Sequence, residues 1–214
     1  MLGNHISWVD WAIVQIASPR PVRFVMLKAI YQRWHLRWLF DMFGVIPIEA
    51  GASSRKSIAK IAECLNNGEV VCLFPEGAIS RTGHLGEFRK GFEKACEIVN
   101  DDVVIVPFYL RGLWGSFFSY SSDKIKANRA SGLARDLVVA FGETLNKNTS
   151  SDVVKRRVFD LSITSWQKHV STMDTLANAW IDTVKRTGGR VAIADSLTDP
   201  LSGRQALSAG IAFS

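Results

Sequence analysis

The fold of this chain is decided by the stretch VVCLFPEG, which runs from Val70 to Gly77. Its first five residues form a continuous apolar run, which is typical of a strand buried on both faces of a sheet. Pro75 ends that strand, and Gly77 allows the backbone to turn or to approach a ligand closely. We therefore expect a buried central strand that opens into a loop carrying Glu76.

Apolar runs and helical periodicity alternate on both sides of this strand, which predicts an α/β fold. We expect short strands at residues 2–4, 23–26, 45–48, 103–107 and 137–141. We expect helices at residues 8–17, 30–43, 55–66, 91–99 and 152–168, the last continuing over 172–185. A strand at 190–194 and a helix from 202 onward follow a Gly-Gly pair, so we place a domain boundary between residues 170 and 187.

The composition is that of a globular domain with a basic surface. Hydrophobic residues make up 47% and charged residues 21% of the 214 residues, which suffices to bury a core. A net charge of +6 favours an anionic partner: a nucleic acid, an anionic membrane or a phosphorylated substrate. Three cysteines without a Cys-x-x-Cys spacing support neither zinc nor a disulfide framework, which favours a reducing cytoplasm. No apolar run reaches the roughly 18 residues of a transmembrane helix.

Four residues separate His5 from Asp10 at a predicted strand-to-helix junction. Sites of α/β proteins gather at such strand ends. A carboxylate one turn into the helix can accept a hydrogen bond from the imidazole and leave the other ring nitrogen to take a proton from an alcohol. Alternatively, Ser7-x-x-Asp10 is a capping-box pattern, in which Asp10 serves only the helix N-terminus and His5 is an ordinary loop histidine. The pattern alone leaves both interpretations open.

The loop after the central strand carries charges suited to a phosphorylated or hydroxylated ligand. Glu76 is placed to accept hydrogen bonds from substrate hydroxyls, and Arg81, Arg89 and Lys90 are placed to meet phosphate oxygens. The alternative is a surface loop whose charges are simply solvated.

Together and in this order, these segments resemble the glycerolipid acyltransferase family over residues 3–145. The motifs that carry the resemblance are NHISWVD (4–10), FPEG (74–77), SRTG (80–83), FRKG (88–91) and IVP (105–107). The resemblance implies a mixed, mostly parallel sheet flanked by helices, and acyl transfer from a thioester to a glycerol hydroxyl. It implies that His5 is the general base and Asp10 its partner. It also implies that the acceptor is held by Glu76, Gly77, Ser80, Arg81, Arg89 and Lys90.

The resemblance implies no metal and no cofactor beyond the co-substrate, an acyl carrier protein or CoA thioester. The chain departs from the family at two arginine positions. Ala50, after Glu49, stands in place of one arginine, and Ile79, two residues after the FPEG motif, stands in place of another. Both departures remove expected phosphate contacts. They favour a phosphodiester acceptor, 2-acyl-glycerophosphoethanolamine, over the alternative acceptor, lysophosphatidate.

The tail, residues 180–214, resembles the opening of an AMP-forming acyl-activating enzyme. The combination is similar to proteins that fuse a lysophospholipid acyltransferase to an acyl-ACP synthetase. We therefore expect an acyltransferase domain at 1–170, with its first strand truncated, and a linker plus ligase fragment at 171–214. The fused ligase would be a partner in the full-length protein. A non-catalytic lipid-binding module of a longer protein is a further alternative, and no nucleic-acid motif accompanies the basic charge.

Aromatic residues favour contact with a phospholipid surface. Trp34 and Trp38 share a predicted helix face beside arginines, and a second cluster contains Trp114, Phe117, Phe118 and Tyr120. The alternative for each is packing in the core. The expected location is peripheral, on the cytoplasmic face of the inner membrane.

Overall fold

The computed structural model describes residues 1–32, 34–48, 54–127, 135–194 and 199–212. The described residues form two compact units, Met1–His169 and Val170–Ser214. The strands are β1 (Leu2–Gly3), β2 (Val22–Leu27), β3 (Ile46–Ile48), β4 (Val70–Cys72), β5 (Val104–Ile105), β6 (Pro107–Arg111), β7 (Val138–Phe141), β8 (Leu145–Asn146), β9 (Val191–Ile193) and β10 (Leu201–Ser202). The helices are α1 (Asp10–Ala17), α2 (Lys28–Tyr31), α3 (Trp34–Met42), α4 (Ser54–Asn66), α5 (Gly91–Cys96), α6 (Asp123–Ala127), α7 (Ser151–Val170), α8 (Leu176–Thr187) and α9 (Gly203–Ala212).

The first unit is built on a mixed sheet in which parallel pairing dominates. Strands β3, β2 and β4 are parallel neighbours, and β1 is parallel to β6, which pairs antiparallel with β7. A parallel bridge between Leu2 and Leu73 joins β1 to the end of β4. The order is therefore β3-β2-β4-β1-β6-β7, and the predicted α/β fold class is confirmed.

The central strands of this sheet, β4, β1 and β6, show where the core lies. β1 lies between β4 and β6: the amide of Leu73 donates to Met1, and the amide of Leu2 donates to Val106. Cys72 and Phe108, on the strands either side, are fully buried. Because helices cover both faces of an α/β sheet, such central strands carry apolar side chains on both faces. Polar side chains then come together where these strands end.

Three predicted elements are each divided into two in the structure. The helix predicted at 30–43 is two helices, α2 and α3, and α2 already ends at Tyr31. The strand predicted at 103–107 is two strands, because the chain changes partner after Ile105: β5 pairs with β8, whereas β6 pairs with β1 and β7. Pro107 therefore begins a strand. Proline has no N–H, which is tolerated at the first residue of a strand. Pro107 takes part through its carbonyl, which accepts a hydrogen bond from the amide of Gly142.

The helix predicted to continue from 152–168 into 172–185 is also two helices. α7 ends at Val170, and α8 begins after Thr175, whose hydroxyl accepts a hydrogen bond from the amide of Asn178. This is an N-cap, which starts a new helix in a segment whose periodicity gives no sign of a break.

The second unit contains α8, the antiparallel pair β9–β10 and α9. The strand at 190–194 and the helix from 202 lie where they were predicted, as β9 and α9. The assignment of the second unit to a ligase domain stays a prediction. Among the helices of the described residues, none has the length and apolar character needed to cross a membrane.

Candidate active site

His5 and Asp10 form a hydrogen-bonded pair at the start of α1. Nδ1 of His5 lies 2.7 Å from Oδ2 of Asp10, and the Asp10 side chain is completely buried. An ionised carboxylate can only accept, so this bond places the proton on Nδ1 and leaves Nε2 as the basic nitrogen. The His5 side chain is 21% exposed, so a ligand can reach the ring.

The same carboxylate oxygen holds the backbone of the turn. Oδ2 of Asp10 also accepts from the amides of Ile6 at 2.7 Å and Ser7 at 2.9 Å. The bond from Ser7 resembles one half of a capping box, but α1 begins at Asp10 and its N-cap, Val9, has no side-chain cap, and the catalytic role of the pair stays a prediction. Since the amides fix the carboxylate and the carboxylate fixes the imidazole, the pair is held in one geometry.

The rest of His5 is fixed by the loop that follows β4. Its amide donates to Oε1 of Glu76 at 2.9 Å, and its carbonyl accepts from the amide of Ser80 at 2.8 Å. The imidazole stacks on the ring of Phe74, with centroids 4.3 Å apart and planes 14° from parallel. The FPEG motif is therefore in direct contact with the histidine, 71 residues away in sequence.

Glu76 joins two segments of the site. Its second oxygen, Oε2, accepts from the amide of Gly86 at 2.8 Å. Burial raises the pKa of the Glu76 carboxyl, while the hydrogen bonds from the His5 and Gly86 amides act in the opposite direction. Both oxygens thus bind backbone, and the predicted role of Glu76 as an acceptor for substrate hydroxyls stays a prediction.

Asn4 is a structural residue that the sequence did not single out. Its amide group donates to the carbonyl of Leu110 at 2.9 Å, and its oxygen accepts from the amide of Leu110 at 2.7 Å. The side chain thereby imitates a strand partner and ties the residue before His5 to β6. A buried asparagine directly after an apolar strand is the signal that could have revealed it, since buried polar groups require partners.

An apolar cavity of about 590 Å³ lies beside the histidine. His5, Gly77 and Arg89 are the predicted site residues that line it, together with apolar side chains such as Phe24 and Leu73. Gly77 has φ +71°, and a Cβ there would lie 2.8 Å from Nε of Arg89, so glycine is required for this approach. The Arg89 guanidinium therefore lies against the backbone of the FPEG loop.

The remaining predicted binding residues do not line this cavity. The hydroxyl of Ser80 donates to the carbonyl of His84 and accepts from the amide of Gly83, which closes a turn. Arg81 and Lys90 have exposed side chains, and the carbonyl of Arg81 accepts from the indole of Trp114. Their roles in holding the acceptor stay predictions.

Comparison with known proteins assigns the chain to a family. The family model for Acyltransferase matches residues 1–111, more than half of the 214 residues. The chain belongs to this family. The predicted glycerolipid acyltransferase family and its enzyme class, the O-acyltransferases, are therefore confirmed.

Two curated proteins and one solved structure are similar to this member of the acyltransferase family. A chloroplastic 1-acyl-sn-glycerol-3-phosphate acyltransferase of Arabidopsis thaliana is 30% identical over 52% of this chain and 31% of its own length. One from Brassica napus is 29% identical over 52% of this chain and 32% of its length. The chain thus spans less than a third of these relatives. The crystal structure of the 1-acyl-sn-glycerophosphate acyltransferase PlsC of Thermotoga maritima shares the fold, with TM-score 0.55, 15% identity and coverage of 81% of this chain and 67% of that chain.

The two departures from the family pattern have different outcomes. Ile79 is buried and lines the cavity, so an apolar side chain occupies the position where the resemblance led us to expect an arginine. Glu49 and Ala50 lie outside the described residues. Arg89 is therefore the arginine that lines the cavity among the described residues.

Proposed function

We propose that this chain transfers an acyl group from a thioester to the free hydroxyl of a lysophospholipid. The observation that carries the proposal is the buried Asp10 carboxylate bonded to His5 at the wall of an apolar cavity. This arrangement supplies an oriented base, whose partner stabilises the charge it acquires, next to a space suited to an acyl chain.

The reaction follows from the orientation of the imidazole. Nε2 of His5 removes the proton from the acceptor hydroxyl, and the oxygen attacks the thioester carbonyl to form a tetrahedral intermediate. The intermediate collapses by breaking its C–S bond, and the departing thiolate takes the proton from the imidazolium. Asp10 stabilises the imidazolium between these steps, because its negative charge is held 2.7 Å from Nδ1.

A covalent acyl-enzyme is not part of this mechanism. Cys96, the cysteine that lines the cavity among the described residues, is buried, and burial raises the pKa of its thiol, which keeps it protonated at neutral pH. The oriented base acts directly on the acceptor hydroxyl instead.

For the acceptor, we propose a phosphodiester head group, in particular 2-acyl-glycerophosphoethanolamine. A phosphomonoester carries nearly two charges at neutral pH, by analogy with other phosphate monoesters, and favours bidentate arginines. Ile79 offers an apolar wall where the family carries one of these arginines, and a diester with one charge needs fewer cations. Arg89, at the backbone of Gly77, is then placed to meet the single phosphate charge.

Lysophosphatidate is the second candidate acceptor. The curated relatives are named as 1-acyl-sn-glycerol-3-phosphate acyltransferases, and Arg89 with Lys94 supplies two cations at the cavity. The donor is either an acyl-ACP or an acyl-CoA thioester. A fused ligase that loads the carrier protein would favour acyl-ACP.

The base is tested with purified full-length protein, a lysophospholipid and both acyl donors. We expect His5→Ala to lose at least about a thousandfold in kcat/KM. His169→Ala, a histidine on α7, should act like the wild type. Equal turnover by His5→Ala and wild type would contradict the mechanism. Absence of turnover in the folded wild type, with lysolipid binding retained, would instead support a non-catalytic lipid-binding module.

The acceptor is tested by direct competition between head groups. Lysophosphatidylethanolamine and lysophosphatidate are supplied together at equal concentration, and the two products are separated by mass. We expect the ethanolamine product to dominate. A clear excess of phosphatidate would reject this acceptor and favour the second candidate, without affecting the role of His5.

A further inference from the structure

Four large aromatic side chains are exposed together on the first unit. We call Trp8, Phe117, Phe118 and Tyr120 the aromatic patch; their exposed fractions are 37%, 70%, 47% and 45%. Trp8 contacts Tyr120 edge to face, with centroids 5.5 Å apart, and Phe117 contacts Phe118 in the same way at 5.5 Å. Such a grouping of exposed apolar side chains marks an interaction surface.

The loop that carries the patch is fixed by hydrogen bonds beneath it. The buried hydroxyl of Ser119 donates to the carbonyl of Ser116 at 2.8 Å and accepts from the amide of Gly115 at 3.1 Å. It also lies 2.9 Å from the hydroxyl of Ser121. The polar side chains therefore point inward and the aromatic ones outward. This inverts the usual preference of a surface loop.

The patch is continuous with the active site. The amide of Trp8 donates to the carbonyl of Phe118 at 2.9 Å, and Trp8 lies three residues after His5. Trp8 and Tyr120 also line the cavity that His5 lines. Trp8 and Tyr120 therefore belong both to the patch and to the wall of the cavity that His5 lines.

Cationic side chains follow the patch in sequence. Helix α6 carries Lys124 and Lys126 with a single acid, Asp123. Arg135, with donors to the carbonyls of Gly112 and Gly115, adds a further positive charge at the base of the loop. Aromatic side chains beside lysine and arginine suit the boundary of a bilayer that contains anionic lipid.

We propose that the aromatic patch inserts into the interfacial layer of an anionic bilayer, and that the acceptor lipid passes from that bilayer into the cavity beside Trp8 and Tyr120. The second part rests on the proposed function, since it takes the acceptor to be a lysophospholipid. Passage of the lipid through bulk water is then unnecessary, because Trp8 and Tyr120 belong both to the patch and to the lining of the cavity.

The test uses full-length protein and vesicles of phosphatidylethanolamine with phosphatidylglycerol. We expect the double variant Phe117→Ser/Phe118→Ser to bind these vesicles about tenfold or more weakly than the parent in co-sedimentation, because two exposed phenyl rings no longer insert. Phe159→Ser/Ile163→Ser is the matched control, since these α7 side chains are similarly exposed, at 55% and 50%. Its binding should equal that of the parent.

A labelled variant tests the same contact without removing both rings. The three native cysteines are buried, so Phe117→Cys accepts an environment-sensitive fluorophore at one exposed site. We expect its emission to shift to shorter wavelength with anionic vesicles. Unchanged emission, vesicle binding by the double variant equal to that of the parent, or self-association of the parent through the patch would each overturn the proposal.

Turnover separates this inference from the proposed function. We expect the double variant to lose turnover with acceptor presented in vesicles, yet to keep it with a short-chain, monomeric lysophospholipid. Equal losses with both acceptors would overturn the delivery step. If the parent itself acylates neither acceptor, the proposed function fails, while weaker vesicle binding by the double variant still supports the membrane contact.

Discussion

Replacement of Asp10 by asparagine tests the catalytic pair most directly. The amide oxygen of asparagine can still accept from the amides of Ile6 and Ser7, so the turn keeps its backbone hydrogen bonds. The negative charge beside His5 is removed. The variant therefore separates the structural role of the side chain from its electrostatic role, which a change to alanine would confound.

The magnitude follows from the burial and the distance of the pair. The Asp10 side chain has no exposed surface, and its oxygen lies 2.7 Å from Nδ1. Two unit charges about 4 Å apart interact by about 4 kcal/mol at an effective dielectric constant of about 20. If the imidazolium forms in the rate-limiting step, loss of this attraction lowers kcat by roughly a thousandfold. The stability cost should be about 1–3 kcal/mol, because the new NH2 group takes the place of Oδ1, which is buried and has no hydrogen-bond partner.

The assay compares kcat/KM and thermal unfolding of the wild type, Asp10→Asn and a control. Asp152→Asn is a matched control, because Asp152 lies exposed in the first turn of α7. This substitution removes a carboxylate from a helix N-terminus without changing the charge beside His5. We expect a large loss of turnover in Asp10→Asn only. Near-normal turnover with a lowered melting temperature would show that Asp10 is only a cap, and the electrostatic argument would be wrong.

Three further results are expected. Burial raises the pKa of Glu76 above its ordinary value of 4.5, so the folded state binds this proton more tightly than the unfolded state does, and the stability gained is lost as pH rises through the raised pKa. The free energy of unfolding of the wild type, relative to that of Glu76→Gln, should therefore fall with rising pH. A difference that does not change with pH would contradict this. Cys72 should resist alkylation in the native protein at mildly alkaline pH, because its thiol has a pKa of about 12; rapid labelling traced to Cys72 by mass spectrometry would refute its burial. Gly3→Ala should destabilise the fold by about 1–3 kcal/mol in denaturant unfolding, because the new Cβ would lie 2.4 Å from the Phe108 ring; wild-type stability would show that the ring yields freely.

Local patterns predicted much of the fold. The continuous apolar run before FPEG gave the position of β4, and i, i+3, i+4 spacing gave α4 almost to the residue. Boundaries failed where the chain changes partner. The chemistry of proline predicts that Pro107 ends a strand, yet Pro107 begins β6. The reason is that β6 pairs with β1 and β7, whereas the preceding strand, β5, pairs with β8.

The sequence by itself placed His5 and Asp10 within one strand-to-helix turn, where a hydrogen bond between them is possible, and the structure decided that this bond forms. Only the tertiary structure decided what Glu76 does. Its two backbone partners lie 71 and 10 residues away, and no local pattern encodes which amides two loops present to a carboxylate. The sequence also left the exposure of Phe117 open, since an aromatic residue in a loop can pack in the core or lie at the surface. In the structure, buried serines beneath the loop direct Phe117 outward.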